Sequence, residues 1–494
     1  MKVYPHSKLF FLLLLPGIAA VFAPVITQAQ NPVTAAIRKL AADPDLKAAS
    51  LGISVVDAAS GREIASHNAG LALIPASTLK ILSTASALGI LGGDFRIKTD
   101  LQYDGEIDAK GVLHGNLYLK GYGDPTLGSP EMDGTPGLSA LMVRLSMAVQ
   151  QKGIRRIEGY IVGDGSYFDL PAEADTWQWN DMGNYYAAGA WGLNIHENLY
   201  YLRFQKRPKL GDRPPLVEIT PAIDGLKMVN EVTSAETGTG DNVYIFGAPR
   251  TYDRIARGTI PRGSGRFSVK GALPDPPLFA AQQLADQLKS VGIISRKGPA
   301  SWLEVADTGR ERTTLYTHES PPLREVVGRT NTKSINLYAE SLLRIVGKAR
   351  SDEGSLAGSR EAVRGFWREK GVSFDAAFIE DGSGLSPRNA VSADFFTGLL
   401  HAVAADDRIF TDFYASLPVS GQSGTLRYTL PGTPAAGKIR AKTGTMERVR
   451  SLAGYVETRS GKRTAFCILV NNYSCTGTEM RKKLEPVLMA IFNN

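Results

Sequence analysis

Ile74-Pro75-Ala76-Ser77-Thr78-Leu79-Lys80 opens an apolar run, Leu79, Leu82, Ala85, Leu88 and Leu91, that stops at Gly92-Gly93. That spacing predicts a helix with Ser77 in its first turn. Ser77 and Lys80 then share a face. A first-turn serine sits where the helix dipole and free N–H groups favour developing negative charge, and the lysine beside it can take its proton. Alone the pattern is weak. Ordinary composition yields Ser-x-x-Lys about once or twice in a chain this long, and a serine in such a place is more often a helix cap.

Two later stretches supply what Ser77 and Lys80 lack. Ser334-Ile335-Asn336 offers a hydroxyl to relay a proton and an amide to hold a substrate amide. Lys442-Thr443-Gly444, with Thr445 beyond it, offers a cation, two hydroxyls and backbone N–H groups for a carboxylate and an oxyanion. Lys-Thr-Gly arises by chance in roughly one chain in several; the three pieces in this order carry far more weight than any one. The segment Lys438 to Lys442 precedes two strand-like runs, Val449 to Glu457 and Thr464 to Asn471, joined by the turn Arg459-Ser460-Gly461-Lys462. The Lys442 motif is therefore expected on an edge strand of an antiparallel sheet, with Gly444 leaving room for a substrate backbone.

Leu51 to Asp57 and Arg62 to Ser66 read as two strands joined through Gly61. Ser334 lies 257 positions after Ser77, yet one site must hold both, so whole domains are expected in between. From about Arg96 to Arg312 the chain runs through short alternating segments, among them Lys98 to Tyr103, Val112 to Leu119 and Arg266 to Val269, which predict β-rich inserted subdomains. Thr237-Gly238-Thr239-Gly240 reads as a turn, since no helical pattern follows. From about Thr313 the chain is expected to be helical, with helices at Ser334 to Val346, Ser355 to Lys370 and Ala393 to Ala404. The expected class is α+β: a signal peptide over 1–29, a discontinuous catalytic domain over 30–95 plus 313–494, and an inserted region over 96–312, read as two subdomains.

Length and charge narrow the setting. At 494 residues the chain can hold two or three domains. Lys2 and Lys8, the apolar stretch Leu9 to Val21, and Thr27-Gln28-Ala29 form a secretory leader pattern. After its removal no integral membrane segment is expected; the C-terminal run Glu479 to Phe492 reads as a helix docked on the core. The net charge of +7 falls to about +5 without the leader, which suits an anionic polymer but is also ordinary. No basic run with interleaved aromatics suggests nucleic acid. Cys467 and Cys475 stand eight apart, a spacing that permits a disulfide without requiring one. The six histidines are scattered, with no metal-ligand spacing, so neither metal nor cofactor is expected.

The three motifs together resemble those of the penicillin-binding-protein-4-like D-alanyl-D-alanine carboxypeptidases and endopeptidases of the DacB type. The resemblance extends to Gly123-Asp124-Pro125-Thr126-Leu127, Trp177-Gln178-Trp179-Asn180-Asp181, Asp381-Gly382-Ser383-Gly384-Leu385-Ser386, Leu417 to Gly421 and Gly424-Thr425-Leu426. It implies a penicilloyl-serine transferase fold and a periplasmic or cell-envelope enzyme. The implied activity is D-Ala-D-Ala cleavage on peptidoglycan stem peptides, with cross-link endopeptidase activity in the family's range and β-lactams as covalent inhibitors. It also implies an oxyanion hole from the N–H groups of Ser77 and Thr445, and substrate contacts at Asp164, Phe168 and Arg388. Two positions depart from the family pattern: Ile335 stands where Asp or Asn is usual, and Pro387 separates Ser386 from Arg388. For Lys80 to serve as base it must be neutral, and burial beside a second cation, Lys442, is the expected cause. A β-lactamase shares the motifs, but the chain has no Glu-x-x-Leu-Asn string and is much longer. A non-catalytic peptidoglycan-binding protein on the same scaffold is the other alternative.

Overall fold

The computed structural model describes residues 1–3, 5–6 and 31–494; nearly all of the expected leader lies outside the described residues. The catalytic half is organised by a five-stranded antiparallel sheet made from both ends of the chain. Its order is Glu63–His67, Ser50–Asp57, Arg463–Asn471, Val449–Glu457 and Ile439–Met446. The strand bearing Lys442, Thr443, Gly444 and Thr445 is thus an edge, as its flanking pattern predicts.

The strands read as continuous apolar runs because both faces of the sheet are covered. Side chains alternate between faces. Ala465, Cys467 and Leu469 point into a helical core with Leu82, Trp367, Phe396 and Leu400. Their neighbours Phe466, Ile468 and Val470 point into a second core with Val33, Ile37, Leu484 and Ile491. Those last four lie on helices Pro32–Ala41 and Gly477–Asn493. The C-terminal helix is therefore docked on the sheet, and a reciprocal cap between Thr476 and Glu479 starts it. Both cysteines are free thiols, Cys467 fully buried and Cys475 partly exposed.

Helix Lys80–Leu91 runs through the middle of the first core and ends at Gly92, whose φ of 83° suits glycine. From Lys80 to Leu88 every side chain is buried, polar ones included. Ser83 Oγ donates to Gly382 O at 2.6 Å, and Ser86 Oγ accepts from Trp367 Nε1 at 2.8 Å, so the buried hydroxyls are paired.

The intervening residues are not purely β. Two sheets carry the order Pro299–Ser301, Ile161–Asp164, Leu117–Gly121, Lys98–Tyr103, Thr313–Glu319 and the order Ile294–Ser295, Arg156–Ile157, Val112–His114, Glu106–Ile107. Helices Leu138–Gln151 and Pro276–Ser290 pack in the same core. Two three-stranded sheets follow, one of them Lys227–Ala235, Asp253–Pro261, Asn242–Phe246. The glycine stretch at 237–240 is a turn, with Gly238 and Gly240 at positive φ. The return from the insert differs from expectation. Thr313–Glu319 is a strand, not the start of a helical segment, and it pairs with Lys98–Tyr103. Helices then follow at Leu323–Lys333, Asn336–Ser351, Leu356–Glu369 and Ala393–Ala404. Among the described residues no helix is long and apolar enough to cross a membrane, and no group of three or more His, Cys, Asp or Glu side chains could hold a metal ion.

Candidate active site

Ser77 lies in a 3-10 turn, Ala76–Leu79, that runs straight into helix Lys80–Leu91. Ala76, just before it, has φ of 46°, an unfavourable left-handed conformation for alanine. The neighbours impose it. A Cβ on Gly384 would come within 1.9 Å of Ala76 O, so the loop 381–386 lies directly against this turn. Ser77 remains partly exposed while Lys80 is fully buried.

Lys80 Nζ has three oxygens around it: Ser77 Oγ at 2.8 Å, Asn336 Oδ1 at 2.6 Å and Ser383 O at 2.7 Å. Asn336 Nδ2 donates to Tyr186 O at 2.7 Å, which turns its Oδ1 toward the lysine. An ammonium could donate to all three. A neutral amine has two N–H bonds and one lone pair, and the amide and peptide oxygens can only accept. They take both N–H bonds, and the lone pair is left facing the Ser77 hydroxyl. Burial brings Lys80 down to about 7, against the pull of the Asp381 and Glu340 carboxylates.

The second lysine is held differently. Lys442 Nζ donates to Thr443 O and Ser334 Oγ, both at 2.8 Å. Its pKa is driven well below the ordinary lysine range, first by burial and then by the charge of Lys80. The expected influence of Lys442 on Lys80 thus runs mainly the other way, and desolvation dominates at both. Ser334 is not the first residue of a helix, as its sequence suggested. It terminates helix Leu323–Lys333 in the left-handed region, φ 61° and ψ 40°, and the next helix starts at Asn336. This sharp turn aims the Ser334 hydroxyl at one lysine and the Asn336 amide at the other.

On the edge strand, Thr443 Oγ1 donates to Thr425 Oγ1 at 2.8 Å, and Arg450 donates to Thr445 Oγ1 at 2.7 Å. Gly444 has a different reason from the one expected. A Cβ there would stand 2.1 Å from Ser451 Oγ and 2.5 Å from Pro75 O. The space beside it is filled by the chain itself, so the glycine lets the strand approach the Ser77 turn. Ser451 Oγ completes this seam by donating to Pro75 O at 2.5 Å.

Loop 381–386, one of the stretches that carry the resemblance, is a buried scaffold. Asp381 accepts from Gly384 N (2.8 Å), Ser386 N (2.6 Å), Asn389 Nδ2 (2.9 Å) and Trp177 Nε1 (2.9 Å). Glu340 accepts from Gly382 N and Ser383 N. These bonds set the Ser383 carbonyl against Lys80. Glu340 had no signal in the sequence beyond a polar residue in a helix. Tyr186 was missed as well. It lines a cavity of about 350 Å³ with Tyr185, Ser334 and Asn336, and its hydroxyl donates to Asp181 Oδ1 at 3.0 Å.

The three resemblance-based candidates make contacts of their own. Asp164 pairs with Arg312 at 2.6 Å and Lys120 at 3.3 Å, and lines a separate cavity with Tyr118 and Trp302. Phe168 is buried against Ile97 and Ile345. Arg388 has an exposed side chain.

The family model described as the D-Ala-D-Ala carboxypeptidase 3 (S13) family matches residues 33–491. The chain is 28% identical over 472 residues to a D-alanyl-D-alanine carboxypeptidase of Actinomadura sp. (strain R39), covering 93% of this chain and 84% of the relative. It is 27% identical to the D-alanyl-D-alanine carboxypeptidase DacB of Haemophilus influenzae, covering 86% of each. The crystal structure of penicillin binding protein 4 from H. influenzae superposes with a TM-score of 0.77 at 25% identity, covering 93% of this chain and 98% of that one.

Proposed function

The chain belongs to the S13 family of D-Ala-D-Ala carboxypeptidases, and from that premise we propose how its residues carry out serine-type cleavage of a D-Ala-D-Ala amide. Ser77 Oγ attacks the amide carbonyl as its proton passes to the lone pair of Lys80. The N–H groups of Ser77 and Thr445 take the oxyanion. The tetrahedral adduct collapses to a Ser77 ester and expels D-alanine, whose nitrogen receives its proton through Ser334. Water then cleaves the ester, with Lys80 again as base. The terminal carboxylate rests on Thr443, Thr445 and Lys442, and its negative charge opposes the lowering of the Lys442 pKa that burial causes.

The single observation that carries this reading is the lone-pair geometry at Lys80, set by Asn336 Oδ1 and Ser383 O. Peptidoglycan stem peptides are the substrates, and the enzyme works in the cell envelope after export. Cleavage of peptide cross-links is the second activity, with the cavity lined by Tyr186, Ser334 and Asn336 as the place for the longer substrate. β-Lactams acylate Ser77 as substrate mimics. Intact-mass measurement after benzylpenicillin tests the assignment: one drug-sized adduct on the natural chain, none on Ser77→Ala. An adduct retained by Ser77→Ala refutes the nucleophile.

A further inference from the structure

Strand Asn242–Phe246 turns Val243 and Ile245 into the core and Tyr244 and Phe246 outward. The Phe246 ring lies 6.4 Å from Tyr244 and 6.4 Å from Trp179, which projects from the loop of residues 177–187. The loop is pinned to this strand, because Asn184 Oδ1 accepts from Ile245 N at 3.0 Å. The same loop carries Tyr185 and Tyr186, 5.4 Å apart, and both line the cavity beside Ser334 and Asn336. Trp179 is 60% exposed, Tyr185 46% and Tyr244 43%. Polar groups stand over these rings: Arg257 over Phe246 at 5.7 Å and Lys270 over Tyr185 at 5.5 Å.

Exposed aromatic rings grouped in this way need an occupant. The chemistry that fits is a pyranose, whose C–H face stacks on an aromatic ring while its hydroxyl and acetamido groups bond to charged groups at the rim. The position fits too. An extended stem of four residues spans about 13–14 Å. The glycan bearing a stem held at Ser77 therefore lies within about that distance of the serine. We infer that the ridge Trp179–Phe246–Tyr244, tied to the cavity by the loop that carries both Trp179 and Tyr185, binds the glycan strand of peptidoglycan and presents its stems to Ser77. This rests on the peptidoglycan reading given above.

The test uses the full mature chain. In a Ser77→Ala background, which cannot turn over, binding to purified sacculi and to peptide-free glycan strands is measured with and without Trp179→Ala and Tyr244→Ala. The double change is expected to weaken both by about tenfold, in line with loss of buried aromatic anchors. In the chain that keeps Ser77, the same double change leaves hydrolysis of a soluble pentapeptide within about twofold, while D-alanine release from intact sacculi falls by about tenfold. Unchanged sacculus binding overturns the inference. So does binding that needs the peptide and ignores peptide-free glycan, which would make the ridge a peptide or protein docking surface. Failure of the natural chain to cleave the soluble pentapeptide would count against the catalytic reading instead, and leaves the glycan measurement intact.

Discussion

Asp381→Asn is the most demanding probe of the scaffold behind Lys80. Each carboxylate oxygen of Asp381 receives two hydrogen bonds, and the side chain is fully buried. Asparagine keeps one oxygen and turns an NH₂ group toward two donors. Two bonds to a charged acceptor are lost, at about 1.5–3 kcal/mol each, so a loss of about 3–6 kcal/mol is expected. The change also removes a negative charge that helps Lys80 hold its proton. The lysine pKa then falls, and the acid limb of benzylpenicillin acylation moves to lower pH. Equilibrium urea unfolding reads the first effect, and stopped-flow acylation across pH 5–9 reads the second. A stability loss below about 1 kcal/mol together with an unmoved acid limb would refute the reasoning.

Three further outcomes follow from the geometry. For the natural chain, the acylation rate should rise with pH through about 7, because Lys80 is protonated below that value and cannot act as base; a rise centred near about 10, the ordinary lysine value, would show that burial does not control it. Gly444→Ala drives a methyl into Ser451 Oγ and Pro75 O, and should cost about 1–3 kcal/mol as overpacking and slow acylation at least about tenfold through displacement of the edge strand; wild-type kinetics would contradict the seam. Iodoacetamide on the native chain should alkylate Cys475 and spare Cys467 until the chain unfolds; equal labelling at both would contradict the burial of the central strand.

What the sequence made legible were side chains that act for themselves. Ser77, Lys80, Asn336 and Lys442 are chemical groups at telling spacings, and the edge strand follows from two apolar runs and a turn. What it hid were contacts made by backbone. The Ser383 carbonyl completes the lysine's surroundings, yet any residue has a carbonyl. Ser334 was placed on a helix because apolar spacing runs through it, and its left-handed turn has no composition signal. Glu340 and Tyr186 sit on elements whose periodicity predicts only burial. The role of Gly444 was misjudged because a glycine shows that something comes close, and not what. Asp164 and Phe168 came from resemblance alone, and the neighbours the structure gives them are Arg312 and Ile345.

The shared sheet has a consequence for how the protein is made. Strand Ser50–Asp57 pairs locally with Glu63–His67, but its other edge waits for Arg463–Asn471, beyond which Val449–Glu457 and the Lys442 strand complete the sheet. A chain emerging from its N-terminus exposes Ser77 and Lys80 early, but the strands against which the Ser77 turn packs, Ile439–Met446 and Val449–Glu457, do not yet exist. The intervening residues have a core of their own to build in the meantime, and closing so long a loop costs only slowly more with length. The nucleophile is thus latent by construction. It acquires its partners in the final stretch of synthesis, so an incomplete chain carries a reactive sequence without a reactive centre.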